Sequence, residues 1–190
     1  MEIKSDYELI QEYLSGNEDA LKEIIERHYK MVYRFLFNLT HGSEESSDLT
    51  QEVFVKVWKK IKRYDKKYNF KTWVFTIARN TAIDFFRKKK SLVFSDFDNE
   101  EGGNPFADTL EDESALQDDI FAGKEDSKKI KEIIEDLPLI YKEILLLRYE
   151  EELDFEEISK VLKRPIETVR SQHRRAVLLM KKRVNLSDFN

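Results

Sequence analysis

Two helical periods separated by a proline lie between Asp154 and Arg183, and no strand pattern fits either of them. Asp154-Phe155-Glu156-Glu157 reads as a capping box, a short acidic side chain at the N-cap with a glutamate three residues on. Ile158, Val161 and Leu162 then form one apolar stripe at helical spacing. Lys163-Arg164 breaks it, and Pro165 suits the start of a new helix, where its missing N–H has no partner to lose. The second helix, Ile166 to about Arg183, buries Ile166, Val169, Ala176, Val177 and Met180, while Thr168, Arg170, Ser171, Gln172, Arg174 and Arg175 share its other face. Lys163 to Val184 holds eight Lys/Arg against one acid, Glu167. A short helix, a tight turn and a second helix with a basic, hydrogen-bonding face suit the reading of a major groove. An ordinary helical hairpin with a solvated charged face fits the same residues, and both readings stand at this point.

Five Gly and three Pro among 190 residues, with long helix-period stretches, point to an all-α chain with room for one large or two small domains. No Cys is present, which excludes disulfides, thiolate metal sites and Cys nucleophiles. No apolar run approaches the roughly 18 residues of a membrane span, and Met1 to Ser5 shows no basic-then-apolar leader, so a cytoplasmic protein without membrane insertion is expected. His28, His41 and His173 stand apart with no metal-ligand spacing, and His28 and His41 are expected at surface or packing positions.

The net charge of −5 divides unevenly. Residues 1–94 carry net +4, residues 95–127 carry −11 with Lys124 as their one base, and residues 128–190 carry +2. Residues 54–94 alone hold 13 basic side chains against Asp65 and Asp84. Two basic regions therefore flank an acidic one, and only the basic ones favour a polyanion. The acidic stretch, with Gly102-Gly103-Asn104-Pro105 and scattered Phe, has linker composition. It reads either as a solvated tether or as an acidic strand occupying a basic nucleic-acid channel on a partner.

Along the chain, Ser5-Asp6 opens a short helix that Gly16 stops, and Asn17 caps a longer one to about Thr40. In that helix Tyr29, Tyr33, Phe35 and Phe37 are most simply core. Ser43 to Ser47 supplies caps for a helix from Asp48 to Arg63 with Leu49, Val53, Phe54, Val57, Trp58 and Ile61 as its buried stripe. Its other face presents Asp48, Gln51, Glu52, Val55, Lys56 and Lys59, with Val55 an apolar residue among polar ones. A helix from Phe70 to about Lys90 turns Val74, Ile77, Ala78, Thr81 and Phe85 inward, and Trp73, Thr76, Asn80, Asp84 and Arg87 fall together on another face. An aromatic plate, amide and hydroxyl groups and the terminal Arg87-Lys88-Lys89-Lys90 equip such a face for single-stranded nucleic acid, where each stacked base contributes roughly 1–3 kcal/mol. A buried Trp and a basic C-terminus that complements the helix dipole fit equally. From about Ser127 a four-helix domain follows: a helix ending near Leu137-Pro138, a second from Leu139 to Tyr149, and the helix-turn-helix.

In this order the stretches resemble the extracytoplasmic-function sigma factors, the small two-domain group of the sigma-70 family, over nearly the whole chain. Asp48-Leu49-Thr50-Gln51-Glu52-Val53-Phe54-Val55-Lys56-Val57-Trp58 is similar to the family helix that docks on the coiled coil of the largest RNA polymerase subunit. Phe70-Lys71-Thr72-Trp73-Val74-Phe75-Thr76-Ile77-Ala78-Arg79-Asn80, continuing to Lys88, is similar to the block that melts and reads the minus-ten element. Leu137-Pro138, Leu145 to Tyr149 and the helix-turn-helix resemble the reader of the minus-thirty-five element. The family's Gly-Thr-Val-Lys-Ser-Arg opening of the recognition helix is here Glu167-Thr168-Val169-Arg170-Ser171-Gln172, a departure that bears on promoter sequence. Gln in place of Arg favours adenine over guanine.

The resemblance implies two helical domains, 1–92 and 128–190, joined by an acidic flexible linker, 93–127, and a promoter-specificity subunit that is not an enzyme and needs no cofactor, metal or catalytic residue. It implies core polymerase, promoter DNA both duplex and melted, and an anti-sigma factor as partners. Polymerase contact falls to Asp48, Gln51, Glu52, Val55, Lys56 and Lys59. The minus-ten contacts fall to Trp73, Thr76, Arg79, Asn80, Asp84, Arg87 and Lys88, with Arg79 and Lys88 on phosphates. The minus-thirty-five contacts fall to Pro165, Thr168, Arg170, Ser171, Gln172, Arg174 and Arg175. An autonomous duplex-DNA regulator would use the helix-turn-helix alone, and a polymerase-binding adaptor would use neither DNA face.

Overall fold

The computed structural model describes residues 4–42, 44–90 and 133–187, which are helices and turns with no strand among them. The expected linker, 93–127, and the expected start of the second domain at 128 lie outside the described residues.

The first helix, α1 (Asp6–Leu14), begins at a Ser5–Glu8 capping box and stops before Gly16, whose φ of +105° is cheap only for glycine. Asn17 caps α2 (Glu18–Leu39), its side chain accepting from the Asp19 N–H. Asp6 ties the two helices together, accepting from Arg27 Nη1 at 2.8 Å and lying 2.9 Å from His28 Nε2. Burial opposes ionisation of Asp6, but these partners hold its carboxyl below the usual range. His28 is accordingly a buried packing residue, whereas His41 is exposed.

The next helix starts earlier than expected. α3 runs from Ser46 to Lys60, followed by a 3₁₀ turn at Ile61–Arg63, and the N-cap, Glu45, makes no side-chain cap bond. The Ser46 hydroxyl instead lies 3.0 Å from Thr40 Oγ1, closing the loop onto the end of α2. Leu49, Val53, Phe54, Val57 and Ile61 are buried as expected, but Trp58 is 51% exposed. Its indole Nε1–H donates to Tyr13 Oη at 2.8 Å, so α1 turns the ring to the rim rather than into the core. Tyr29, Tyr33 and Phe37 are likewise exposed rather than core, stacked along α2 with centroids 6.5 and 5.9 Å apart, and only Phe35 turns inward, against Phe75. α2 is apolar over more than one face, and α3 and α4 cover only one of them.

Helix α4 (Phe70–Lys90) packs Val74, Phe75, Ile77, Ala78 and Ala82 against α2 and α3. After the Leu137-Pro138 turn come α5 (Leu139–Leu145), a π-helical turn (Leu146–Glu150), α6 (Phe155–Leu162) and α7 (Ile166–Ser187). Asp154 and Glu157 form the capping box of α6, and Lys163 ends it with a left-handed φ of +54°. The two units share a core. Leu146, Leu147, Leu153, Ile158, Val161, Leu162 and Val169 join one buried cluster with the apolar residues of α1 to α4, whereas Leu137, Leu145, Ala176, Val177 and Met180 form a second cluster under α7.

Candidate nucleic-acid interface

The recognition helix is set by its buried side. Val169, Ala176, Val177 and Met180 are buried, and His173 sits among Tyr149, whose hydroxyl is 2.9 Å from Nε2, and Phe155 in an edge contact at 5.1 Å. Burial, with Arg148 adding to it, pushes the His173 pKa down to about 4, so the imidazole is a neutral strut from α7 to the π-helical turn and α6. The opposite face carries Pro165, Arg170 and Ser171 in the open and Thr168, Gln172, Arg174 and Arg175 half-buried. Local bonds orient several of these groups. Arg170 Nη1 donates to Glu167 at 3.1 Å, Ser171 Oγ to the Thr168 carbonyl at 3.0 Å, and Arg164 Nη1 to Gln172 Oε1 at 3.2 Å. A guanidinium pairing with Gln172 Oε1 leaves the amide NH₂ as the donor group of this side chain.

On α4, the expected face divides. Trp73 is half-buried, its ring centroid 5.4 Å from that of Tyr64 and 5.5 Å from that of Phe70, so two aromatics brace it. Asn80 is half-buried, and Asp84, Arg87 and Lys88 are exposed. Thr76 donates its hydroxyl to the Thr72 carbonyl at 2.9 Å, which leaves its oxygen as an acceptor. Arg79 is elsewhere engaged: its Nε donates to Glu143 Oε2 at 3.1 Å, across the junction with the C-terminal unit.

The α3 face presents Asp48, Gln51, Glu52, Val55 and Lys59 together in the open, Val55 being 46% exposed. Lys56 departs from it, held by Glu52 at 2.7 Å and donating to Thr81 Oγ1 at 3.0 Å.

Sequence reasoning missed the residues of the junction. Glu143 and Glu151 are each 1% exposed. Glu143 accepts from Arg79 and from Arg164, whose Nη2 is 2.8 Å away. Glu151 pairs with Arg34 at 2.6 Å, while its Oε2 has no hydrogen-bond partner and sits 3.6 Å from Lys71. Burial pushes the Glu151 carboxyl up in spite of Arg34. A faint signal existed for Glu143, a charge lying on the apolar stripe of Ile140, Ile144 and Leu147.

Family models for sigma-70 region 2 and sigma-70 region 4 match residues 24–92 and 127–180. The chain is 31% identical over 148 residues to the ECF RNA polymerase sigma factor SigM of Bacillus subtilis, covering 75% of this chain and 82% of that relative. The chain belongs to the extracytoplasmic-function sigma factors of the sigma-70 family. SigW of the same organism is 28% identical over 177 residues, covering 92% of this chain and 94% of the relative. Two solved structures share the fold. CnrH in complex with the cytosolic domain of CnrY has a TM-score of 0.68 at 17% identity, covering 96% of this chain and 99% of that one. RpoE in complex with the anti-sigma factor NepR, from Bartonella quintana, has a TM-score of 0.65 at 20% identity, covering 86% and 96%.

The protein is thus a promoter-specificity subunit: it binds core RNA polymerase, recognises promoter DNA and opens it. Family membership decides for this function over the autonomous regulator and the adaptor. Its relatives are sigma factors, which are not enzymes. No described helix is long and apolar enough to cross a membrane.

Proposed function

We propose that this sigma factor divides its work among three faces, within domains 1–92 and 128–190 joined by the acidic linker 93–127. The α3 face, Asp48, Gln51, Glu52, Val55 and Lys59, takes the polymerase, with Lys56 supporting it through Glu52. On α4, Asn80, Asp84 and Thr76 read an unstacked base of the minus-ten element at the edge that duplex DNA hides, Trp73 stacks on it, and Arg79, Arg87 and Lys88 hold phosphates. On α7, Thr168, Arg170, Ser171, Gln172, Arg174 and Arg175 address the minus-thirty-five duplex from the groove end that begins at Pro165. The chain acts in the cytoplasm and, as the likeness to RpoE bound to NepR suggests, takes an anti-sigma partner.

One observation carries this reading. Each polar face lies on a helix whose opposite side is locked in the core, so amides and guanidinia are presented from a rigid base. Run-off transcription with purified core polymerase on a library of promoter fragments tests it. Selective starts should require the chain and vanish with Asn80→Ala or Arg174→Ala. Starts that survive both substitutions would remove these residues from the promoter contacts.

A further inference from the structure

We infer that Glu167 determines specificity in the upstream contact: with Arg170 it forms a donor–acceptor pair that selects one guanine·cytosine base pair in the major groove, Arg170 on the guanine and Glu167 on the cytosine amine. The inference rests on the assignment of α7 to the minus-thirty-five duplex.

Glu167 stands in the first turn of α7, and a recognition helix presents its N-terminal residues to base edges. Where the family's opening has glycine, this chain places a carboxylate. Its Oε1 accepts from Arg170 Nη1 at 3.1 Å, and the two side chains are 77% and 47% exposed, so the pair stands in the open. Phe155 of α6 adds a second hold on the guanidinium, its ring centroid 6.0 Å from Arg170 Cζ. That ring is braced in turn by Arg148, whose Cζ is 5.0 Å from its centroid, and by His173. Arg170 is therefore oriented before it meets a duplex, and the one N–H given to Glu167 leaves the others for bases.

An acid in the first turn also complements the helix dipole. That role needs no partner on the DNA face, and an exposed ion pair one turn apart adds little to stability. A carboxylate carried towards DNA is repelled by phosphates unless a base donor receives it. In the major groove only the amines of cytosine and adenine donate. The pair offers guanidinium donors on one side and a carboxylate acceptor on the other. A guanine·cytosine pair shows the complementary order, two acceptors on guanine and then the cytosine amine, whereas adenine·thymine alternates acceptor, donor, acceptor. The match singles out guanine·cytosine.

Holoenzyme reconstituted from the full chain and core polymerase, sorted on promoter duplexes randomised upstream of the start, tests this by sequencing bound and unbound DNA. The parent should enrich guanine·cytosine at one upstream pair. Glu167→Gly and Arg170→Ala should each cut that enrichment at least about fivefold at the same pair and leave the other positions unchanged. The double variant should lose no more than the larger single loss, because the two side chains act as one reader. Should Glu167→Gly lose helix by circular dichroism, Glu167→Gln replaces it; an amide, which also donates, should lose the selection for cytosine. An unchanged preference in the Glu167 variants, with one altered by Arg170→Ala, overturns the inference and leaves α7 on the upstream duplex. Tighter binding of every duplex alike by the Glu167 variants also overturns it, as repulsion without reading. If Glu167→Gly, Arg170→Ala and Arg174→Ala all leave every upstream preference unchanged, the assignment of α7 falls with it.

Discussion

His173 and Lys163 show how single residues hold the recognition helix. A buried imidazole held down to about 4 favours the neutral form in the fold, while the unfolded chain protonates near 6.5. The unfolded state therefore binds more protons between these values, and the stabilisation is complete above about pH 6.5 and lost as pH falls towards 4. The difference amounts to about 3 kcal/mol. Thermal unfolding from pH 7 to 4.5 should show a falling midpoint that His173→Leu flattens. Lys163 adopts a left-handed backbone without being glycine, at a cost of roughly 1 kcal/mol. Lys163→Gly should raise stability in urea unfolding by about 0.5–1 kcal/mol with unchanged slope. Pro165 two residues on advertised the turn in the sequence; the sign of φ at Lys163 did not follow from it.

At the scale of the element, the two kinds of contact proposed for α4 and α7 respond differently to mutation. Arg87 is exposed near the C-terminus of α4, where a phosphate contact is indifferent to sequence. Arg87→Ala should weaken promoter complexes uniformly and reduce the slope of log affinity against log salt by about 1. Gln172, proposed as a reader, has its amide oriented by Arg164. Gln172→Arg should shift the base preferred opposite this position from adenine towards guanine by about 1–3 kcal/mol, measured by competition among upstream duplexes differing at one pair. The helical faces of both elements were legible because spacing of three and four residues determines them, as Val169, Ala176 and Val177 illustrate. Trp58, Tyr29, Tyr33 and Phe37 were not, since an apolar residue on a broad apolar helix is buried only if another element covers that side.

For the whole molecule, the shared core sets apolar gain against polar cost. Burying Leu146, Leu153 or Ile158 contributes about 1.5–3 kcal/mol each. Desolvating Glu143 and Glu151 costs several kcal/mol per ion before their arginines offset it. Both tryptophans, Trp58 and Trp73, lie in the N-terminal unit, so their fluorescence reports that unit alone. Ile158→Ala, in α6, removes a fully buried side chain at a cost of about 2–5 kcal/mol. It should lower the melting midpoint seen by tryptophan fluorescence as well as by far-UV circular dichroism. A tryptophan midpoint that does not move would mean that the two units melt independently.

What the sequence determined by itself is local: the helix openings at Ser5 and Asn17, the capping box at Asp154, the helix-turn-helix, and the division of charge along the chain. Those features rest on groups a few residues apart, whose distances are set once the helix forms. Only the tertiary structure decided that Arg79 meets Glu143, 64 residues away, that Lys56 reaches Thr81 of α4, and that Glu143 and Glu151 are buried. The reason is physical. An arginine on an open face offers the same fork to water, phosphate or carboxylate, and which of them it meets depends on which surface packing brings within about 3 Å.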